Sequence, residues 1–350
     1  MKHRRNQAMA LLLALCLILV SLTACGDGYY KPVDSTELEA TPVFTLGEDT
    51  VNYEMLYTFF HNRCENIPSF SAAYFTGEEG DERFREVMDA AIREIASVYA
   101  MLTLCREVEI DPYSEEMDTA VNEVIKTSVD GGTFGEYEIR GFDSYKDYLA
   151  YLRREFHMND AVNRLMMRYA ECEEALSDYY AESYAYTEAD VRSFFESEDC
   201  LRILWVSRFE NSGGLGRSEN LALMESARQK LRGTDPYKAL QYSLEPTTDF
   251  HIGRHTLDRA YYGKLIDAAY ALPTGGVSEV MDLGSEGLFV LRRMDKQSAS
   301  FSSRYEELAK VYLGEVMYGR IEEIAAELME GIVYTEFFST LTAADILGEA

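Results

Sequence analysis

The chain has 350 residues, 47% of them hydrophobic, and a formal net charge of −28. A surface this acidic repels nucleic acid. The sequence also has no basic, aromatic-rich stripe of the kind that binds single strands, so no nucleic-acid partner is expected. Its hydrophobic content is sufficient for packed cores, and its length is sufficient for two domains of about 150 residues each.

The N-terminus has the parts of an export signal. Lys2, Arg4 and Arg5 form a basic region, followed by a hydrophobic run that is short for a transmembrane helix. The run ends in "LTACGD", in which small residues precede Cys25. This pattern is typical of a lipoprotein signal peptide over 1–24, after which Cys25 is lipidated and anchors the chain to the cell membrane outside the cytoplasm. The alternative is an ordinary signal peptide with an incidental cysteine.

Residues 25–42 are polar, contain two prolines and have no hydrophobic period, which predicts a flexible tether. The cysteines beyond the tether are widely spaced and have no histidine pairs nearby, so neither a metal site nor a cofactor is expected. In an exported protein they could form disulfides, with three pairings open, or remain small buried hydrophobic residues. These cysteines are Cys64, Cys105, Cys172 and Cys200.

Residues 43–198 are predicted to be mostly helical. A short strand and a turn at Gly47 lead into a helix that starts after Asn52, a residue type that favours helix N-termini. A long helix follows over about 82–108. Its apolar face contains Ile92, Ile95, Tyr99 and Leu102. Near the end of the chain, a helix over 305–334 has one strongly apolar face, which must pack on the earlier helices.

Between these helical parts, residues 199–298 have the pattern of a small α+β domain. A short helix with Thr187 and Asp190 in capping-box positions precedes the strand "LRILWV". Two helices and two strands joined by a glycine turn follow, which gives the order β-α-α-β-β. Arg202 stands within the otherwise apolar first strand, near Trp205, which is predicted to lie in the core.

Three segments carry a resemblance to a known family. "VFTLGEDTVNYEML" looks like the strand-turn-helix entry of a helical chaperone domain, and "YTEADVRSFFESE" looks like the helix that leads into a parvulin-type unit. "FHIGRHTL" and "AYALPTGGVSEVMDLGSEGLFVLRRMD" are similar to the second half of that unit. Together they resemble the PrsA/SurA type of extracytoplasmic folding factor, and the resemblance covers nearly all of the chain after the signal peptide.

The resemblance implies an α+β fold in which a small parvulin-like domain is inserted into a helical chaperone domain. The chaperone domain would comprise residues 43–198 and be completed by a C-terminal helix over 299–350. The peptidyl-prolyl isomerase domain would comprise 199–298. Unfolded or newly exported polypeptides would be the partners, and the chain could also form a homodimer.

The resemblance further implies four site positions. Active parvulins carry two histidines where this chain has Arg202 and Phe289, a cysteine or aspartate near Glu245, and a proline-pocket phenylalanine at Leu265. An arginine and a phenylalanine cannot share a proton as two imidazoles do, so prolyl isomerase activity is expected to be weak or lost. The arginine stays charged, so it either needs an acceptor, for which Glu245 is the candidate, or must reach the rim of the site.

The remaining histidines do not replace the missing pair. His251 and His255 stand four residues apart, a spacing that suits a metal only on a helix, and Gly253 between them indicates a loop. Both are therefore predicted to be surface residues.

Three functions are compared on this basis. The leading hypothesis is a lipid-anchored folding factor whose helical domain holds unfolded chains on a surface lined by methionine and aromatic side chains. The first alternative is an active prolyl isomerase with an altered polar network. The second is a solute-binding lipoprotein, which would need two lobes of alternating strands and helices.

Overall fold

The computed structural model describes residues 30–65, 67, 70–134, 137–139, 141–208, 215–244, 249–255, 259–283, 287–297 and 300–347. Its described residues form two compact units. Unit 1 comprises those up to Leu176 and from Arg320 onward, and unit 2 comprises those from Ser177 to Gly319. The predicted signal peptide and Cys25 lie outside the described residues. Among the described helices, none has the length and apolar character needed to cross a membrane.

The fold is α+β, as the sequence predicts, because helices predominate and the strands form small antiparallel sheets. It lacks, in the described part, the two lobes of alternating strands and helices that a solute-binding lipoprotein would need. The units divide at 176/177 and 319/320, whereas the predicted domain boundaries fall at 198/199 and 298/299. Both divisions lie inside long helices, Asp160–Glu182 and Tyr305–Glu330.

Unit 1 begins with a β-hairpin, of which the sequence predicts only the first strand because the second has just four residues. The hairpin turns at Gly47, whose φ of +59° favours glycine, and a Cβ there would lie 3.1 Å from Leu328 Cδ2. The elements of unit 1 are β1 (Pro42–Leu46), β2 (Asp49–Asn52), α1 (Tyr53–Glu65), α2 (Gly80–Glu107), α3 (Glu115–Asp130), β3 (Gly132–Phe134), β4 (Tyr137–Ile139), α4 (Tyr145–Phe156) and α5 (Asp160–Glu182, which extends into unit 2).

The core of unit 1 is built around α2. The four residues predicted to form its apolar face are all buried, which confirms the helical period of that stretch. Burial of each such side chain contributes roughly 1.5–3 kcal/mol to folding. Because α2 also packs along α1, these two helices form a buried centre to which the other elements of the unit attach.

The end of the chain is part of unit 1. Strand β9 (Val333–Tyr334) pairs with β1, so the sheet has the order β2-β1-β9. The backbone N–H of Thr335 donates to the Val43 carbonyl at 3.0 Å, which extends this pairing. Two short helices follow, α10 (Glu336–Thr340) and α11 (Ala343–Leu347). In α11, Ile346 is buried.

Residues 30–42, which lie within the predicted tether, make contacts with the helices of unit 1. The ring of Tyr30 stacks on Tyr145 with centroids 4.8 Å apart, and its hydroxyl donates to Asp130 at 2.6 Å. The backbone N–H of Val33 donates to Asp160 Oδ2 at 2.7 Å. These partners are distant in sequence, so the polar composition of the segment does not reveal them.

Unit 2 contains a four-stranded antiparallel sheet in the order β6-β5-β8-β7. The predicted capping box before it is confirmed, because Thr187 and Asp190 exchange hydrogen bonds between side chain and backbone. Strand β6 was not predicted. The elements are α6 (Glu188–Glu196), β5 (Leu201–Arg208), α7 (Arg217–Leu231), β6 (Asp249–Ile252), α8 (Arg259–Ala271), β7 (Met281–Asp282), β8 (Leu288–Met294) and α9 (Tyr305–Glu330, which extends into unit 1).

Helices cover both faces of this sheet. Side chains alternate along a strand, so Leu204 and Val206 of β5 pack on the α7 side, while Leu201 and Ile203 pack on the α8 side. Burial on both faces explains why the strand is almost continuously apolar. Arg202 interrupts that run, and by the same alternation it lies on the α7 side.

Candidate functional site

Arg202 donates four hydrogen bonds near the start of β5, and 11% of its side chain is exposed. Its Nε donates to Asp249 Oδ1 at 2.9 Å and its Nη2 to Oδ2 at 2.7 Å, a two-bond pairing with the neighbouring strand β6. Nη2 also donates to the Tyr237 hydroxyl at 3.0 Å, and Nη1 donates to the Asp295 carbonyl at 3.2 Å. An arginine can therefore occupy this apolar strand because its charge is paired and its donors are used.

His251 lies directly opposite Arg202 in the β5–β6 pair and is 1% exposed. Its Nδ1 donates to Glu307 Oε1 in α9 at 2.8 Å, and its backbone N–H donates to the same oxygen at 3.1 Å. The prediction that His251 is a surface residue is wrong. The segment "DFHI" forms a strand, and alternation directs Asp249 and His251 to the side of Arg202.

One further arginine joins these pairs into a network. Arg304 donates from Nη2 to Asp249 Oδ2 and from Nη1 to Glu307 Oε2, both at 3.4 Å. The hydroxyl of Tyr237 donates to Asp249 Oδ2 at 2.8 Å. This set connects β5, β6, the 3₁₀ helix Pro236–Tyr242 and the start of α9. We call it the arginine network, and its members are Arg202, Tyr237, Asp249, His251, Arg304 and Glu307.

The network lowers the pKa of both of its carboxylic acids. For Asp249, burial raises the pKa, but the hydrogen bonds from Arg202 and Tyr237 and the nearby guanidinium charges outweigh it, so the pKa lies below its ordinary value. For Glu307, burial is likewise outweighed by the hydrogen bonds and charge of His251 and by the charge of Arg304. Both acids are therefore ionised in the folded state at neutral pH.

Unit 2 is expected to lose stability on acidification because of these two acids. A carboxylate whose pKa is lowered by folding stabilises the fold above its unfolded pKa of about 4, and this contribution disappears as the pH falls through the folded pKa. We expect the denaturant concentration at the midpoint of unfolding to decrease as the pH is lowered from about 5 to about 3. The fluorescence of Trp205 reports this midpoint. The Asp249→Asn variant should show a shallower decline. An identical slope in this variant and the wild type would contradict the assignment.

Phe289 and Leu265 lie on the other side of the sheet from Arg202. Phe289 pairs with Ser207 of β5, and paired residues point to the same face, which is opposite to that of Arg202. Phe289 is 3% exposed and Leu265 is 0% exposed, and both belong to one apolar cluster. The half-buried Trp205 packs against this cluster, with its ring centroid 5.5 Å from that of Phe289.

Of the positions implied by the family resemblance, Phe289 and Leu265 are thus brought together, but Arg202 is separated from both. Arg202 and Phe289 face opposite sides of the sheet, and neither Phe289 nor Leu265 has appreciable surface for contact with a peptide. Glu245 lies outside the described residues, and the carboxylate that the structure shows paired with Arg202 is that of Asp249. A guanidinium held in this way stays protonated and serves neither as an acid nor as a base.

Asp249, His251 and Glu307 are not identified as members of this network by the sequence analysis. Asp249 and His251 could have been found, because polar and apolar residues alternate through "DFHI" in the pattern of a half-buried strand. No local sequence pattern indicates Glu307, because it stands 56 positions from His251, the histidine that it binds.

The four cysteines of the described chain are free and buried. Burial raises the pKa of Cys64 and of Cys200 to about 12, so both thiols are protonated at neutral pH and are poor nucleophiles. The thiol of Cys105 donates to the Cys172 carbonyl at 3.9 Å. Within the part of the chain that the structure describes, no cluster of three or more histidine, cysteine, aspartate or glutamate residues could hold a metal ion.

No family model and no curated protein matches the chain. Among solved structures it is similar to PrsA from Bacillus subtilis, with 14% identity and a TM-score of 0.28 over 72% of this chain and 87% of that one. The foldase protein PrsA from Streptococcus pneumoniae aligns with 16% identity and a TM-score of 0.31, over 83% and 93%. The peptidylprolyl isomerase PrsA from Bacillus cereus aligns with 13% identity and a TM-score of 0.22, over 89% and 100%.

Proposed function

We propose that the chain is a lipid-anchored extracytoplasmic folding factor that binds unfolded exported polypeptides and has weak or no prolyl isomerase activity. The signal sequence ending at Cys25 supports the location, and the three motif segments support the class of protein. The proposal of weak or no prolyl isomerase activity rests on one observation: Arg202 and Phe289 lie on opposite faces of one sheet. Two residues so placed cannot form the shared polar network that prolyl isomerisation would use.

Polypeptide binding is assigned to unit 1. The prediction that methionine side chains line this surface is wrong for six methionines of unit 1, which are buried. They are Met55, Met88, Met101, Met117, Met166 and Met167. Exposed apolar side chains are present elsewhere in the unit, among them Leu38, Val333 and Tyr334. Such side chains can hold apolar stretches of an unfolded chain through many weak contacts.

We expect the purified full-length chain to suppress the aggregation of a reduced client protein at an equimolar ratio, measured by light scattering. The physical reason is that it competes for the apolar surface that an unfolded chain exposes. An inert acidic protein of similar size is the control for charge alone. In the same samples, a proline-peptide assay should show only uncatalysed exchange, which takes tens of seconds or longer. Faster exchange would instead support the active isomerase.

A further inference from the structure

Unit 1 contains a cavity of about 340 Å³ that has no counterpart in the sequence predictions. Its volume falls at the lower end of the range of about 300–1,000 Å³ typical of ligand sites. The cavity lies beside the first turns of α1, where Tyr53, Glu54 and Tyr57 line it. The segment 36–39, Arg153 of α4, the turn between α4 and α5 and the last described residues of the chain complete its wall.

Aromatic rings form one side of this cavity. Tyr53 and Tyr57 are one helical turn apart on α1, with centroids separated by 6.0 Å. His61, one helical turn after Tyr57 and outside the lining, lies 4.3 Å from the Tyr57 ring and stacks at 4.2 Å on His157, which lines the cavity. His61 is held in place because its Nε2 donates to the Ile346 carbonyl at 3.1 Å. The ring of Tyr57 therefore packs against a histidine whose own position is fixed by a hydrogen bond.

The charge of the lining is negative. Glu39, Glu54 and Asp345 contribute three carboxylates, and Arg153 contributes one guanidinium, which forms an ion pair with Glu39. Burial lowers the pKa of His61, so the ring beside the cavity is neutral at pH 7. A cation entering the cavity would consequently meet the carboxylate of Glu54, which no arginine or lysine of the lining neutralises.

Glu54 has the geometry of a binding group. Its Oε2 accepts a hydrogen bond from Asn159 Nδ2 at 2.6 Å and another from the Ser35 hydroxyl. These two bonds fix the orientation of the carboxylate. Its Oε1 accepts no side-chain hydrogen bond from the described residues, so this oxygen is open to a donor from a ligand. Asp345, in contrast, uses its carboxylate to cap the turn at Thr342.

We propose that this cavity binds an arginine side chain of a client polypeptide, with the guanidinium against the ring of Tyr57 and hydrogen-bonded to Glu54. The proposal rests on the proposed function, since it specifies which part of an unfolded chain is recognised. A cation over a tyrosine face and a charge-assisted bond to a carboxylate are both favourable here. Arginine suits the site better than lysine because its planar group stacks on aromatic rings and is more weakly hydrated.

The test compares two capped, otherwise uncharged decapeptides that carry either arginine or citrulline at the central position. Citrulline keeps the size of the side chain and removes its charge. Calorimetric titration of the full-length chain should show roughly ten-fold tighter binding of the arginine peptide at low salt and a smaller preference at high salt. Equal affinities for the two peptides would overturn the proposal.

Variants test whether the preference for the arginine peptide arises at this cavity. Glu54→Gln keeps acceptors for Asn159 and Ser35 but removes the charge, so the preference for arginine should largely disappear. Tyr57→Leu should weaken binding of the arginine peptide, whereas Tyr57→Phe keeps the ring and should retain it. Glu86→Gln changes the net charge equally at an exposed position of α2 and is the matched control.

The outcomes separate this site from the proposed function. An unchanged preference in Glu54→Gln would overturn the site, while suppression of aggregation by the wild type would still support polypeptide binding. Failure of the wild type to suppress aggregation would refute the proposed function itself, whichever peptide binds more tightly.

Discussion

Replacing Asp249 with alanine is expected to lower the free energy of unfolding of unit 2 by about 3 kcal/mol or more. The substitution removes the carboxylate that accepts two bonds from Arg202 and a further one from Arg304. Arg202 then remains in the sheet with only the neutral Tyr237 hydroxyl and the Asp295 carbonyl as acceptors. An inadequately paired buried charge costs more than the pair itself contributed, which is why a large effect is expected.

Trp205 provides the measurement, since it is the only tryptophan of the chain and lies in β5. Denaturant titrations followed by its fluorescence report the unfolding of unit 2. The matched control is Asp282→Ala in the same unit, because the side chain of Asp282 is 43% exposed and its pair with Arg217 lies at the surface. Such pairs contribute about 0–1 kcal/mol. Equal losses in the two variants would show that the arginine network has no special role.

Replacing Phe289 with alanine is expected to cost about 3–5 kcal/mol. Its side chain is 3% exposed and packs in the apolar cluster with Leu265 and Trp205. Truncation removes the contacts of a whole ring and leaves a cavity that a tightly packed sheet can only partly close. The effect should therefore appear as lost stability, with no change in the exchange rate of a proline peptide.

The same denaturant titration checks this second expectation. Leu244→Ala serves as the control in unit 2, because Leu244 is 50% exposed and its truncation should change stability by no more than about 0.5 kcal/mol. If Phe289 lined an open peptide pocket, its truncation would cost less than about 1 kcal/mol and would alter peptide binding. That combination would contradict the closed packing on the α8 side.

Much of the fold follows from local signals in the sequence. The apolar face of α2 and the capping box of Thr187 and Asp190 depend on residues three or four positions apart, so both could be predicted. Strand β9 could not be predicted, because it has only two residues. Its position depends on a hydrogen bond from the Thr335 hydroxyl to the Val43 carbonyl, and these residues are 292 positions apart. Short strands of this kind exist only through their pairing partners.

The site was predictable only in part, for a reason of geometry. The resemblance places Arg202 and Phe289 in the first and last strands of unit 2, and both do lie in strands. Which face each occupies depends on the register of β5 with β8, and a shift of one residue would reverse it. The acceptor of Arg202 could not be selected among 61 acidic residues without knowing that β6 pairs with β5.

The aggregation of a reduced client protein is the measurement that tests the central claim most directly. With the full-length chain at an equimolar ratio, light scattering should fall well below that of the client alone and of the client with an inert acidic protein. This result is expected if, as proposed, the exposed apolar side chains of unit 1 hold an unfolded chain. Scattering that is unchanged at equimolar protein would contradict the proposal that this chain is a folding factor.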